Sequence, residues 1–149
     1  MKQLVERVVE GLLQNFEGKI AAVAMFGSSA RGESTDKSDM DFFVVVKDYA
    51  SSLERRLMLY RAIHDVVARD VTVIDVDEED VFRQDLEITS LLLNIAYDGK
   101  ILYDPEGRLK RLFEKTKEIV AKLGLERRST KDGKYWWKAE ETPLKTVEV

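Results

Sequence analysis

Two aspartates separated by a single residue are the groups in this sequence best placed to carry out chemistry. Asp39 and Asp41 stand at the start of an apolar run that continues to Val46. In a β-strand, residues two apart project from the same face, so the two carboxylates lie side by side. Carboxylates this close repel each other, and a divalent cation keeps both ionised. Oxygen ligands alone select a hard ion, which predicts Mg²⁺, with Mn²⁺ as an alternative.

A two-metal site, which clamps the attacking and leaving oxygens of phosphoryl transfer, needs a third carboxylate on a neighbouring strand. Asp70 and Asp75 are the candidates, because both accompany the apolar run at 71–76. Their odd separation puts them on opposite faces of a strand, so at most one can face the pair. We expect that residue to be Asp70, because Asp75 begins an acidic run that is typical of a solvated loop and a helix start.

The segment before the aspartate pair carries groups that suit phosphate oxygens. Gly27 allows a tight turn and a close approach of the backbone. The serines offer hydroxyl and backbone N–H donors, and an arginine adds a planar positive charge. The candidates for binding phosphate are Gly27, Ser28, Ser29, Arg31 and Ser38.

The elements that position these groups follow from the spacing of apolar residues. The predicted strands are 20–26, 40–46, 71–76 and the run KILY that follows an Asp98-Gly99 turn. The predicted helices lie within 4–16, 50–68, 82–96 and 109–123. The apolar stripe expected on the second helix comprises Leu53, Leu57, Tyr60, His64 and Val67. The order α-β-loop-β-α-β-α-β-α predicts an α/β (α+β) fold, in which helices flank a mixed sheet.

The composition excludes several kinds of site. The chain has 149 residues, no Cys and one His, which excludes disulfides, Cys-ligated metals and thiol nucleophiles. Its formal net charge of -4 disfavours broad electrostatic binding of nucleic acid or of an anionic membrane. The first residues lack the pattern of a signal peptide, and the apolar runs are too short to span a bilayer. We therefore expect a cytoplasmic protein.

The pair Gly27-Ser28, the ten residues after it and Asp39-Met40-Asp41 resemble the G-S-x10-D-x-D signature of the DNA polymerase beta-like nucleotidyltransferases. The likeness to the minimal nucleotidyltransferases is specific over residues 24–46 and extends more loosely to Asp70. In these small enzymes an arginine often follows the Gly-Ser pair, whereas this chain has Ser29. Arg31 is our candidate for supplying that charge.

The resemblance implies the nucleotidyltransferase fold and transfer of a nucleoside monophosphate, most often AMP from ATP, to a hydroxyl acceptor. Gly27 and Ser28 would hold the triphosphate. Asp39 and Asp41 would bind two Mg²⁺ ions, and Asp70 would complete the nucleophile side of the site.

Small members of this family frequently pair with HEPN-domain proteins in toxin–antitoxin modules, where they adenylylate a tyrosine of the partner. HEPN domains carry an Arg-x4–6-His motif, and no arginine stands at the matching positions before His64. The resemblance therefore implies the antitoxin role. Two alternatives stay open: a catalytically silent nucleotide-sensing or protein-interaction module, and a small-molecule adenylyltransferase.

Residues 1–124 are predicted to form the nucleotidyltransferase domain, and residues 125–149 a C-terminal extension. The extension contains a basic cluster and three aromatic residues: Arg127, Arg128, Lys131, Lys134, Tyr135, Trp136 and Trp137. Basic and aromatic side chains together can bind RNA. We instead favour aromatics that cover the domain or a partner, including a second copy in a homodimer.

Overall fold

A mixed four-stranded sheet forms the centre of the described chain. The computed structural model describes residues 2–32, 39–129, 135–139, 142–144 and 146–148. Its strands are β1 (Ile20–Phe26), β2 (Met40–Val46), β3 (Val71–Asp77), β4 (Glu87–Thr89), β5 (Lys100–Tyr103), β6 (Glu126–Ser129), β7 (Tyr135–Ala139), β8 (Thr142–Leu144) and β9 (Thr146–Glu148). The central sheet has the order β3-β2-β1-β5. In it β2 is antiparallel to β1 and parallel to β3, and β5 is antiparallel to β1.

Helices pack on both faces of this sheet. They are α1 (Lys2–Asn15), α2 (Gly27–Arg31), α3 (Leu53–Val67), α4 (Glu78–Val81), α5 (Ser90–Asp98) and α6 (Arg108–Lys122). Phe42 and Val44 of β2 enter a core with α1 and α3, whereas Phe43 and Val45 enter a second core with α5 and α6. Both faces of β1 and β2 are thus covered, which is why these strands read as continuous apolar runs. The predicted mixed sheet flanked by helices is confirmed.

The face that helix α3 turns to the core differs in part from the one predicted. Its buried residues are Arg55, Leu59, Ile63 and Val67. Leu53 and Leu57, which were expected on the apolar stripe, are 72% and 47% exposed. The prediction was right for Val67 and wrong for Leu53 and Leu57, and a charged residue occupies the first buried position of the helix. The guanidinium of Arg55 pairs with Asp75 and Asp77 of β3, and an apolar pattern cannot reveal such a contact.

The segment 78–98 also differs from the single predicted helix at 82–96. It forms α4, then β4, and then α5, which begins at Ser90. The side chain of Thr89 accepts a hydrogen bond from the N–H of Leu92 (3.1 Å) and so caps α5. Because a capping threonine satisfies the free N–H groups of a first turn, the helix starts there and not earlier.

The C-terminal segment packs against α5. Trp137 of β7 is 1% exposed and belongs to the core formed by α5 and α6. Its indole N–H donates to Oδ1 of Asn94 (2.9 Å), and its ring meets Tyr97 edge-on with centroids 5.4 Å apart. Strand β9 pairs with β4 in a separate two-stranded sheet. Among the residues described, no helix combines the length and apolar character needed to cross a membrane.

Candidate active site

Three strands bring the backbone around the candidate residues to one end of the central sheet. Phe26, the last residue of β1, pairs with Asp41 of β2, and Asp41 pairs in turn with Thr72 of β3. The N–H of Met40 donates to the carbonyl of Asp70 (3.0 Å). This bond fixes the starts of β2 and β3 side by side.

Gly27 makes room for the carboxylate of Asp41. A Cβ atom at Gly27 would lie 3.2 Å from Cγ of Asp41 and closer still to Oδ2. The φ angle of Gly27 is +74°, a conformation that glycine adopts without steric cost. Both facts require glycine at the turn from β1 into α2.

The carboxyl group of Asp41 is held in an environment that disfavours its charge. Burial raises the pKa of Asp41 above its usual value, and the charge of Asp39 adds to this effect. A hydrogen bond from the Thr72 side chain and the charge of Arg31 lower the pKa, but they do not outweigh burial. Among the residues that the structure describes, the positive charge near Asp41 is therefore too small to offset its burial.

The chemistry of this donor set fits a hard divalent cation. Asp39 and Asp41 offer oxygen ligands only, and a cation beside them would offset the burial and the mutual repulsion. Across residues 2–32, 39–129 and the described parts of the C-terminal segment, no three acidic or histidine side chains lie together in a ready-made metal cage. Water and substrate phosphates are oxygen donors that can complete the coordination of such a cation.

Asp75 lies within β3, whereas Asp70 is the residue before this strand. If the alternation of β3 extended to Asp70, its side chain would share the face of Thr72, which is the register partner of Asp41. Asp75 instead faces α3, where Oδ2 and Oδ1 accept hydrogen bonds from Nε of Arg55 and Nε of Arg56, each at 2.8 Å.

The expectation that Asp75 belongs to a solvated loop is wrong. Strand β3 continues to Asp77, and the side chain of Asp75 is 2% exposed. Burial raises the pKa of Asp75, but the hydrogen bonds from Arg56 and Arg55 outweigh burial and hold the pKa below its usual value. The acidic residues Glu78, Glu79 and Asp80 do lie in the first turn of a helix, α4, as predicted.

The candidate phosphate-binding residues lie in and around α2. Gly27 and Ser28 are half-buried at its start. Ser29 is buried, and its hydroxyl donates to the carbonyl of Asp39 over a long 3.4 Å, so it supports the backbone before β2. Ser38 lies outside the described residues.

Arg31, at the end of α2, is tied to α5 and to the C-terminal segment. Its Nη1 lies 2.8 Å from Oδ2 of Asp98, and Nη1 of Arg127 lies 2.7 Å from the same oxygen. The Asp98 side chain is only 5% exposed. Arg31 therefore pairs with a buried carboxylate, and its charge also lowers the pKa of Asp41.

Three residues near the site were not found by sequence reasoning. Thr72 could have been found, because it is two residues after Asp70 and so shares its face. Asp98 and Arg127 gave no usable signal. Asp98 was interpreted only as part of a turn, and Arg127 only as part of a basic cluster far along the chain.

Comparisons with known proteins agree with this geometry. A family model described as Polymerase beta, Nucleotidyltransferase matches residues 8–107. A Methanocaldococcus jannaschii protein, MJ1305, whose name describes it as a candidate protein adenylyltransferase, is 24% identical over 130 residues, which are 83% of this chain and 85% of that protein.

Two solved structures share the fold. One is described as a toxin-antitoxin with AMP-PNP, with a TM-score of 0.56 and 21% identity, covering 79% of this chain and 88% of that one. The other is described as a tri-AMPylated Shewanella oneidensis HEPN toxin in complex with MNT antitoxin, with a TM-score of 0.54 and 20% identity, covering 83% and 89%.

Proposed function

The chain belongs to the polymerase beta nucleotidyltransferase family, and on that premise we propose that it transfers AMP from ATP to a hydroxyl group of a partner protein. The observation that carries the proposal is the fit between Gly27 and Asp41. It brings the phosphate-binding turn against a carboxylate whose ionised form needs a cation.

The residues take distinct roles in this proposal. Asp39 and Asp41 would hold the divalent ions, Mg²⁺ or Mn²⁺, with Asp70 contributing from β3. These ions supply charge neutralisation of the triphosphate and of the transition state. Gly27 and Ser28 bind the phosphates, and Arg31 adds a fixed positive charge on the same side.

The transfer needs little covalent work from the protein. The acceptor oxygen attacks the α-phosphorus of ATP and forms a new P–O bond. The bond from the α-phosphorus to the bridging oxygen breaks, and pyrophosphate leaves with the electron pair. Asp70, on the side of the aspartate pair away from α2, takes the proton of the acceptor hydroxyl. Positioning and charge neutralisation lower the barrier.

We further propose that the acceptor is a tyrosine of a HEPN-type toxin and that this chain acts as its antitoxin in the cytoplasm. Support comes from the described name of the Methanocaldococcus jannaschii relative and from the description of the Shewanella oneidensis complex. The acidic composition of the chain agrees with a protein acceptor and disfavours nucleic acid.

A label-transfer experiment tests the proposal. The purified protein is incubated with α-³²P-ATP and Mg²⁺ or Mn²⁺, alone and with proteins from its source, beside the variant Asp39→Asn/Asp41→Asn. We expect a labelled protein band that disappears with the double variant. Binding of metal and nucleotide without any labelled acceptor would contradict transfer and favour a sensing module. Absence of both kinds of binding would favour a silent interaction module.

A further inference from the structure

Two arginines from distant parts of the chain bind one carboxylate oxygen next to the candidate nucleotide site. Arg31 ends α2, and Arg127 lies on β6 in the C-terminal segment. Their Nη1 atoms lie 2.8 Å and 2.7 Å from Oδ2 of Asp98. We call these three residues the Asp98 cluster.

The position of Asp98 in its helix does not explain its presence. It is the last residue of α5, and a negative charge at a helix C-terminus interacts unfavourably with the helix dipole. Its carboxylate is also almost fully buried, at 5% exposure. The contacts with the two arginines therefore compensate for an otherwise unfavourable placement.

The cluster adjoins the candidate nucleotide site through Arg31. This residue ends α2, and α2 begins at Gly27, which lies against the carboxylate of Asp41. ATP is the anion that the proposed function brings there.

Arg127 is held firmly by the residues around it. Its guanidinium lies over the ring of Tyr97, 4.4 Å from the centroid, and Tyr97 packs edge-on against the buried ring of Trp137. Trp137 is in turn bonded to Asn94 of α5. Since a planar guanidinium stacked on one side and paired on another has little freedom, Arg127 restricts the orientation of the Asp98 carboxylate.

We propose that Asp98 and Arg127 are positioning residues of the nucleotide site. Arg127 fixes the carboxylate of Asp98, and Asp98 orients the guanidinium of Arg31 towards the phosphates of ATP. The C-terminal segment thus contributes to nucleotide binding without touching the nucleotide. This inference rests on the proposed function, because it requires that ATP binds beside Arg31.

The neighbouring residue Arg128 provides a matched control. Arg127 and Arg128 are adjacent on β6, but Arg128 is 53% exposed and pairs with Glu126 (2.6 Å). Arg127→Gln and Arg128→Gln remove the same charge from the same strand. Only the first disturbs the Asp98 cluster.

The test is calorimetric binding of ATP with Mg²⁺ to the full chain and its variants, with thermal unfolding as a check on folding. We expect Arg127→Gln to raise the Kd for ATP by about 5-fold or more, as for residues coupled in one ion-pair network. We expect Arg128→Gln to leave Kd unchanged. In an Arg31→Gln background, Arg127→Gln should have no further effect, because its action passes through Arg31.

The outcomes separate this inference from the proposed function. If the unaltered protein does not bind ATP with Mg²⁺, both are overturned. If it binds, and Arg127→Gln behaves like Arg128→Gln, only the positioning role is overturned. An equal loss of affinity with and without Arg31 would also overturn it, since a merely structural role predicts additive effects.

Discussion

The carboxylate of Asp41 fills the space that a side chain at Gly27 would occupy. Phe26, the last residue of β1, pairs with Asp41 of the antiparallel strand β2, and Gly27 follows Phe26 as the first residue of α2. The spacing of the signature therefore has a steric cause: the glycine and the second aspartate are in contact across the β1–β2 pair.

Replacing Gly27 by alanine should abolish transfer while leaving most of the stability. The positive φ alone costs about 1 kcal/mol for a residue with a Cβ. The clash additionally displaces the Asp41 carboxylate, and misplacement by about 1 Å can lower a rate 100-fold. Gly18→Ala is the control, because Gly18 has a similar φ of +72° with open space around its Cβ. Equal rates for the two variants, measured by label transfer, would contradict the steric explanation.

Replacing Asp41 by asparagine should stabilise the metal-free protein and abolish transfer. Burial raises the pKa of Asp41 in the folded protein. The folded protein is therefore most stable below the pKa that Asp41 has in the unfolded chain, and it loses stability as pH rises through the folded pKa. At pH 7 in EDTA we expect a Tm increase on the order of 2 °C, the shift that a modest gain gives in a chain of this size. The increase should shrink below the ordinary carboxyl pKa. An unchanged Tm at pH 7, as expected for the exposed control Asp65→Asn, would contradict the cost of burying this charge.

Replacing Asp70 by asparagine should reduce transfer by about 100-fold or more, because the acceptor hydroxyl loses its proton acceptor and the metal site loses a contributor. Asp70 is exposed, so the Tm should not change. The rate of label transfer and the Tm are measured together. A rate equal to that of the unaltered protein would show that Asp70 is not a functional residue of the site.

Replacing Asp75 by asparagine should lower the stability of the protein, in contrast to the loss of transfer at unchanged Tm expected for Asp70→Asn. Breaking a buried ion pair from one side costs about 3 kcal/mol, and this loss should appear in urea unfolding at pH 7. Because the pKa of Asp75 is lowered, its contribution is present above the unfolded pKa and is lost as pH falls through the folded pKa. The difference between the two proteins should therefore vanish in acid. Asp85→Asn, which breaks the exposed pair with Arg83, serves as the control, and an equally small effect of Asp75→Asn would contradict a structural role.

Replacing Trp137 by alanine should destabilise the protein by about 3–5 kcal/mol, the usual cost of removing a buried aromatic ring. Trp137→Phe keeps much of the volume and loses mainly the bond to Asn94, so its cost should be smaller. Leu123→Ala, at a residue that is 51% exposed, is the control. If urea unfolding gave the same free energy of unfolding for all three variants, the C-terminal segment would not be part of the core.

Local patterns were sufficient for the central strands. The runs at 20–26 and 40–46 are buried on both faces, so their apolar character survives in the sequence.

Long-range contacts were not accessible in the same way. Arg55 is buried because Asp75 and Asp77 of β3 pair with it. The sequence of α3 alone contains no sign of these partners. The same holds for Asp98, whose partners lie 67 residues before it and 29 residues after it. Ionic contacts of this kind depend on the packing of elements, which hydrophobic spacing does not encode.

The wide separation of the Asp98 cluster along the chain has a consequence for biosynthesis. Strands β2 and β3, which begin directly after Asp39 and Asp70, are complete at residue 77, whereas Arg127 follows much later in the chain. At about 5–20 residues per second, the ribosome adds residue 127 roughly 2.5–10 s after residue 77. A nascent chain therefore has all its candidate metal ligands for several seconds before Arg127 can fix Asp98 and orient Arg31. Nucleotide binding of full strength should accordingly be a property of the finished chain.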